Sequence, residues 1–470
     1  MYKCLTRVEG GDNMSKNNSF LGIHNILDIL SRAGVRVHFC GVGGVGMYPL
    51  FRLTEKFGIT VSGSDRERGA YVNKLLSEHK DIFIGERKTL PAGTSLVVYS
   101  LAVDDDNAEI RYAEQRSIPT VSRAELLGAL MCCYQNKIGV SGTHGKSTVT
   151  AMLSEIFSGM GLLPTVLCGA NMHSGGPFLD GTLDHLIYEA CEYKDSFHKF
   201  SPDVALFLNM ELDHTDWFKS EAALKASFLF AINKAKLAII NIDDKGLLSL
   251  LPGVTAKHIT VGTTDAADYK YTVISNEPRR LKFSLYKHGR HMTDISLRLI
   301  GEFNISNAAM AAVAAIESCV PVSAVSEALS SFSGIERRLE LRGEFMGRRV
   351  YYDYAHHPTE IRESILAVRA ESPDGVTVVF SPHTYSRTRS LFDGFAGALS
   401  LADTVIITEI SGMRERDDGS VNSAMLADAV GAIVATRAEK IGELLPKTKG
   451  AVIIMGAAPN EHILAHILAS

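Results

Sequence analysis

Residues 137–150, K-I-G-V-S-G-T-H-G-K-S-T-V-T, constrain this chain more than any other stretch. Residues 138–140 read as the end of a buried strand. Gly142, Thr143, His144 and Gly145 make a tight turn, and Lys146, Ser147 and Thr148 open a helix that continues through Ala151, Met152, Leu153 and Ile156. A strand, a Gly-rich turn and a helix N-terminus form an anion site, because backbone N–H groups converge on the turn and the helix dipole adds positive potential. Lys146 supplies a full charge for terminal phosphates, and the Ser147 hydroxyl suits Mg²⁺. The standard phosphate loop has a further Gly five positions before the last one. Val140 stands there, so the match is to a shorter loop, G-T-H-G-K-S. An ordinary βα turn with a surface Lys is the plain alternative. It is disfavoured because Gly, Lys and Ser stand together between a strand and a helix, as the motif requires.

A chain of 470 residues is too long for one core, so two to four domains are expected. Net charge is −5, with no basic bias of the kind that marks nucleic-acid binding. No apolar run reaches membrane-span length, and the N-terminus lacks a signal-peptide pattern. Seven Cys without metal-type spacing read as reduced thiols, which places the protein in the cytoplasm.

Residues 1–18 are polar and aperiodic and read as a disordered lead, with Met14 an alternative start. In 19–135, a strand at 35–40 runs into G-V-G-G-V-G, whose Gly41, Gly43, Gly44, Val45 and Gly46 fit G-x-G-x-x-G. A second strand ends at Ser64-Asp65, with the acid 24 residues after the first Gly. This is the Rossmann layout, in which glycines admit a diphosphate and the acid takes a ribose hydroxyl. Ser100 ends another strand, and 123–131 reads as a helix.

In 136–334, strands alternate with helices, which argues a mostly parallel sheet. Strands at 185–188 and 204–208 end at E-A-C-E and N-M-E-L-D-H, setting Glu189 and His214 beside the phosphate loop. With Ser147 they are candidate Mg²⁺ ligands; a surface acid and a helix-cap His are the alternative. Glu192, Asp213 and Asp216 read as supporting or structural groups. Asn304 and Asn307 share one helix face and suit an adenine edge, while Asn304 as a helix cap is equally open.

In 335–470 the α/β pattern recurs. Arg338, Asp353, His356, His357, His383, Arg387 and Arg389 crowd strand ends, as groups lining an anionic site would. His357 or His356 could serve as a base, or could be structural at the helix start before Pro358.

With G-V-G-G-V-G-M, V-S-G-S-D, G-T-H-G-K-S-T, E-A-C-E-Y, N-M-E-L-D-H, N-I-S-N-A, R-R-L-E, D-Y-A-H-H-P-T-E, S-P-H-T-Y-S-R-T and S-G-M-R-E in order over 35–460, the chain resembles the Mur ligases. That resemblance implies three α/β domains: an N-terminal Rossmann-like UDP-substrate domain, a central ATPase and a C-terminal Rossmann-like domain. It implies ATP-dependent addition of L-alanine to the carboxylate of UDP-N-acetylmuramate, with Mg²⁺, in peptidoglycan precursor synthesis, by a monomer or weak homodimer. Gly41–Gly46, Ser64, Asp65 and Ser100 would serve the UDP-sugar. Residues 142–148, Asn304, Asn307, Arg338 and Asp353 would serve ATP, and Ser147, Glu189 and His214 the metal. Lys146, Asn304, Arg338, Asp353 and His357 would act in catalysis, and His383 and Arg387 would bind the amino acid. Departures are Thr384 after His383, where many members have Arg; Leu101 in a common Ser-Ser pair; Gly456-Ala-Ala-Pro in place of G-A-G; and Met413 for Ala. A ligase that recycles peptides onto the same UDP-sugar, an NAD-dependent oxidoreductase built on 41–65, and a non-catalytic nucleotide-binding regulator are the competing readings.

Overall fold

The computed structural model describes residues 22–469 apart from 86, 102, 105, 216, 413 and 414. The lead at 1–18, Met14, Asp216 and Met413 lie outside the described residues. The rest forms an α/β protein built on three sheets.

The first sheet is all parallel, in the order Ile82–Ile84, Thr60–Asp65, Arg36–Cys40, Leu96–Tyr99, Thr120–Ser122. The chain turns one way from Arg36–Cys40 to Thr60–Asp65 and the other way to Leu96–Tyr99. The glycine turn after Cys40 therefore sits where the strand order reverses, the place at which such sheets open a crevice.

The central sheet has ten strands. At its middle, Asn136–Ser141 lies between His185–Glu189 and Val204–Phe207, parallel to both. Val204–Phe207 is buried throughout, as a parallel strand covered on both faces must be. Helix Phe303–Glu317, with six alanines, is almost wholly buried and packs on helix Lys146–Gly159, where small side chains let the backbones approach.

One part of this sheet was not foreseen. Tyr269–Glu277, Arg280–Lys287 and Arg290–Leu297 form an antiparallel meander on its edge. Leu281, Phe283 and Leu285 alternate inward, and the second turn has His288 at φ 47° and Gly289 at φ 77°. Two consecutive positive φ angles make the turn whose twist suits a hairpin.

The third sheet runs Glu340–Phe345, Arg348–Asp353, Ala451–Met455, Val376–Phe380, Thr404–Ile407, Ile433–Val434, parallel except at its first strand. Among the described residues no helix is long and apolar enough to cross a membrane.

Candidate active site

Three parallel strand ends converge at the middle of the central sheet and deliver residues 142–147, 190–192 and 208–214 to one rim. Gly145 begins the helix at φ 84°, and a Cβ there would lie 2.6 Å from Asn307 Oδ1. Positive φ and no room for a side chain together require glycine. Thr143 and His144 are tied down by the neighbouring strand end. The Glu211 N–H donates to Thr143 Oγ1 (2.9 Å), and the His144 N–H donates to Asn209 Oδ1 (2.8 Å).

Lys146 turns back into this cradle. Its ammonium donates to the Gly142 carbonyl, to the Thr143 carbonyl at 3.1 Å and to Glu192 Oε2 at 3.1 Å. Burial works against its charge, but Glu192, with Glu189 further off, holds the ammonium well above its ordinary value.

Glu192, read from sequence as a supporting or structural group, is the acid that meets Lys146. It is buried, faces Lys146 with both oxygens, and lies 3.8 Å from His214 Nε2. Glu189 is half-buried, accepts the Gly169 N–H, and lies near the Cys168 thiol. Ser147 is buried at the helix start. His214, at φ 51°, packs at a tilt against Tyr193 with ring centroids 4.5 Å apart. Cys191, Glu192 and His214 bring ligand atoms within 4.8 Å of one another. Burial pushes the Cys191 thiol up to about 11, so it stays protonated and the donors are oxygen and imidazole.

A cavity of about 590 Å³ opens beside the loop, lined by Gly145, Thr148, Asn304, Asn307, Arg338 and Asp353 among others. Asn304 is not the helix cap; it lies in the first turn, and its amide donates to the Ile300 carbonyl (2.8 Å). Asn307 Nδ2 donates to Asn304 Oδ1 (3.3 Å). Tyr271, from the unforeseen meander, also lines the cavity and donates to Asp243 Oδ2 (2.9 Å). Arg338 enters from the third domain, its guanidinium over Tyr354 at 4.9 Å. Asp353 is buried and accepts from Ser364 and from the Leu339 N–H (3.3 Å). Burial raises its carboxyl against the pull of Ser364 and Arg338.

His357 does not hold the position of a base. It caps helix Pro358–Glu371, its Nδ1 accepting the Thr359 N–H (3.3 Å), and that bond uses its lone pair. Burial and the nearby His144 lower its affinity for a second proton.

A smaller cleft of about 210 Å³ adjoins His214, lined by Tyr193, Asp213, His383, Arg387, Leu391 and Glu415 among others. Arg387 donates to both Asp213 oxygens (3.1 and 3.2 Å) and lies 3.3 Å from His383 Nδ1. Burial opposes the charge on Asp213, yet His214 and Arg387 hold its carboxyl far below the usual range. Thr384, the departure beside His383, accepts the Arg387 N–H and caps the short helix Tyr385–Ser390.

In the first domain, the Gly41 and Val42 N–H groups donate to the Ser64 carbonyl, and Gly43 N–H to Asp65 Oδ2 (2.8 Å). Gly44 and Val45 are exposed, Gly46 is half-buried, and Ser100 follows the end of the neighbouring strand Leu96–Tyr99. The Ser64 hydroxyl is a correction. It turns into the sheet and donates to Glu109, which is paired with His38 at 3.1 Å, so it does not face the crevice. Sequence reasoning also missed Arg123, whose side chain lies 3.4 Å from where a Gly46 Cβ would stand. An Arg directly after a strand ending in Ser122 was the available signal.

Three family models match in order: Mur ligase family, catalytic domain, over 36–135; Mur ligase middle domain over 140–315; and Mur ligase, glutamate ligase domain, over 337–459. A UDP-N-acetylmuramate–L-alanine ligase from Clostridium novyi (strain NT) is 38% identical over 84% of this chain and 87% of its own length. One from Acetivibrio thermocellus is 38% identical over 84% and 85%. Among solved structures, the UDP-N-acetylmuramate-alanine ligase MurC from Thermotoga maritima superposes with a TM-score of 0.79 at 25% identity, over 92% of this chain and 98% of that one. A murein peptide ligase from Psychrobacter arcticus shares the fold, with a TM-score of 0.70 at 22% identity over 93% and 98%. On this evidence the chain belongs to the Mur ligase family.

Proposed function

We propose that the protein joins L-alanine to the carboxylate of UDP-N-acetylmuramate at the expense of ATP, in the cytoplasm, as a step of peptidoglycan precursor synthesis. The observation that carries this reading is the adjacency of two sites. The Lys146 cradle and its cavity hold the nucleotide, and the small cleft with Arg387 opens beside His214 on the same rim. A cleft of about 210 Å³ lies below the usual size of ligand pockets and suits one amino acid better than a tripeptide. The curated relatives carry the same activity in their names.

A carboxylate resists an amine because its leaving group would be oxide. A carboxylate oxygen of the sugar acid attacks the γ-phosphorus, the bond to ADP breaks, and an acyl phosphate forms. The amine then attacks the carbonyl carbon, the C–O bond to phosphate breaks, and the departing phosphate takes up the proton that the nitrogen loses as the amide forms. Lys146 and Arg338 stabilise the charge that develops on the transferring group. Ser147, Glu189 and Glu192 are hard oxygen donors of the kind that would hold Mg²⁺, and His214, 3.8 Å from Glu192, would hold one of its waters. Bound there, the cation would neutralise phosphate charge. Arg387 holds the amino-acid carboxylate in exchange for Asp213. Burial lowers His356 to about 3, and the His357 lone pair is engaged, so neither is a strong proton acceptor. The glycine turn at 41–46 lets the UDP moiety approach the backbone closely, and Asp65 holds the turn in shape through the Gly43 N–H.

Phosphate release that requires both UDP-N-acetylmuramate and L-alanine tests the reading. Lys146→Ala should lower it by at least ~10²-fold, the scale of losing a charge-stabilising donor. Retained turnover in that variant would remove the loop from the mechanism. Comparing L-alanine, glycine, L-serine and the tripeptide decides the acceptor.

A further inference from the structure

The His144 side chain lines the nucleotide cavity, yet both of its ring nitrogens are taken by carboxylates. Both backbone groups of His144 are bound by one amide: its N–H donates to Asn209 Oδ1 (2.8 Å), and its carbonyl accepts from Asn209 Nδ2 (3.1 Å). The ring is thereby directed across the domain boundary. Nε2 lies 3.1 Å from Glu211 Oε2 on the central domain, and Nδ1 lies 3.1 Å from Glu360 Oε1 on the third-domain helix Pro358–Glu371. Thr359 Oγ1 donates to the same Glu211 oxygen (2.7 Å). Glu360 also accepts the His356 and His357 N–H groups at the start of its helix (3.1 and 3.4 Å). The nucleotide loop, the strand end carrying Glu211 and the helix start at 357–360 are thus joined in one closed ring of polar contacts.

We propose that His144 is a positioning latch, through which the nucleotide loop holds the third domain closed so that Arg338 and the Arg387 cleft face the phosphates. The inference rests on the function proposed above for what closure accomplishes, but not for the latch itself. Two carboxylates, one on each ring nitrogen, require both nitrogens to donate, and so require the imidazolium. Burial opposes that charge, yet Glu211 and Glu360 raise the ring to about 9. The other ionisable groups around it are His357, with ring centroids 4.8 Å apart, and Arg338 and His356, which lie 3.7 and 3.3 Å from the Glu360 oxygens. An occupied loop and a closed third domain then favour one another, because the loop geometry that receives phosphate is the one that presents the ring to Glu360.

The test uses the full chain, His144→Ala from one side and Glu360→Gln from the other. Gln keeps the helix-capping acceptor but removes the charge. Each should lower kcat for phosphate release by ~10-fold or more, a larger factor than any rise in the KM for ATP, and the double variant should be no worse than the worse single one, as coupled residues behave. With a non-hydrolysable ATP analogue alone, small-angle X-ray scattering should show compaction of the wild type and a more open average in both variants. That measurement needs no acceptor, so it judges the latch even if L-alanine proves to be the wrong substrate. Wild-type kcat and compaction in either variant would overturn the proposal. So would a loss of ATP affinity as large as the loss of kcat with compaction intact, which would make His144 a phosphate ligand.

Discussion

Gly145 is the residue at which the nucleotide cradle tolerates least. Its φ is 84°, and a Cβ would lie 2.6 Å from Asn307 Oδ1, a group that itself lines the cavity. Gly145→Ala therefore combines left-handed strain of ~1–2 kcal/mol with displacement of Asn307. ATP affinity, read by fluorescent-nucleotide titration, should fall by ~10-fold or more. Gly159, at the far end of the same helix, has open space around it and no positive φ, so Gly159→Ala should leave binding unchanged and raise stability by ~0.4–1 kcal/mol. The contrast separates a glycine required by geometry from one that is merely present. Glu189 and Glu192 pose the same problem of reading. Both stood at one strand end in sequence, but which of them faces Lys146 depends on how residues 190–192 leave the strand, and that turn has no sequence signature.

At the scale of elements, helix Arg123–Leu130 shows what capping contributes. Ser122 and Glu125 form a reciprocal capping box, and Glu125 also meets Lys199 of the central domain at 3.3 Å. Ser122→Ala should destabilise by ~1 kcal/mol, while Ser122→Asp, which preserves the acceptor, should cost much less. Because a three-domain chain need not unfold in one step, the readout is the lowest-temperature transition in calorimetry. The pattern S-R-A-E carries this cap, although the sequence reading named only a helix at 123–131. The meander at 269–297 was passed over although Leu281, Phe283 and Leu285 alternate. Expectation of strand–helix alternation masked a period of two, and Tyr271, which that meander carries into the nucleotide cavity, was missed with it.

For the whole molecule, closure should depend on pH with a definite sign. The His144 ring is raised in the folded, closed state to about 9 from an ordinary value of 6.5. A group so raised contributes fully below its unperturbed value and loses that contribution as pH rises through the higher one. Compaction by the ATP analogue should hold from pH 6.5 to 8 and fade toward pH 10, and Glu360→Gln should move the fading to lower pH. Scattering against pH checks it. Arg387 and Asp213 form a second ion pair across the same boundary, with the Asp213 carboxyl held far below its usual range, so residual compaction above pH 10 should persist in the wild type and vanish in Arg387→Ala.

Sequence alone determined the α/β class, the two glycine turns and the strand–turn–helix at 138–148, because strand period, glycine placement and helix starts are local and each is enforced by its own neighbours. Tertiary structure decided the rest. It turned the Ser64 hydroxyl into the sheet toward Glu109, used the His357 lone pair as a helix cap, brought Glu192 onto Lys146, and sent the His144 ring to Glu360, a residue 216 positions away. Where a side chain points at the end of a strand is set by the long-range partner that neutralises its charge or satisfies its hydrogen bond, and that partner is not written in the residues beside it.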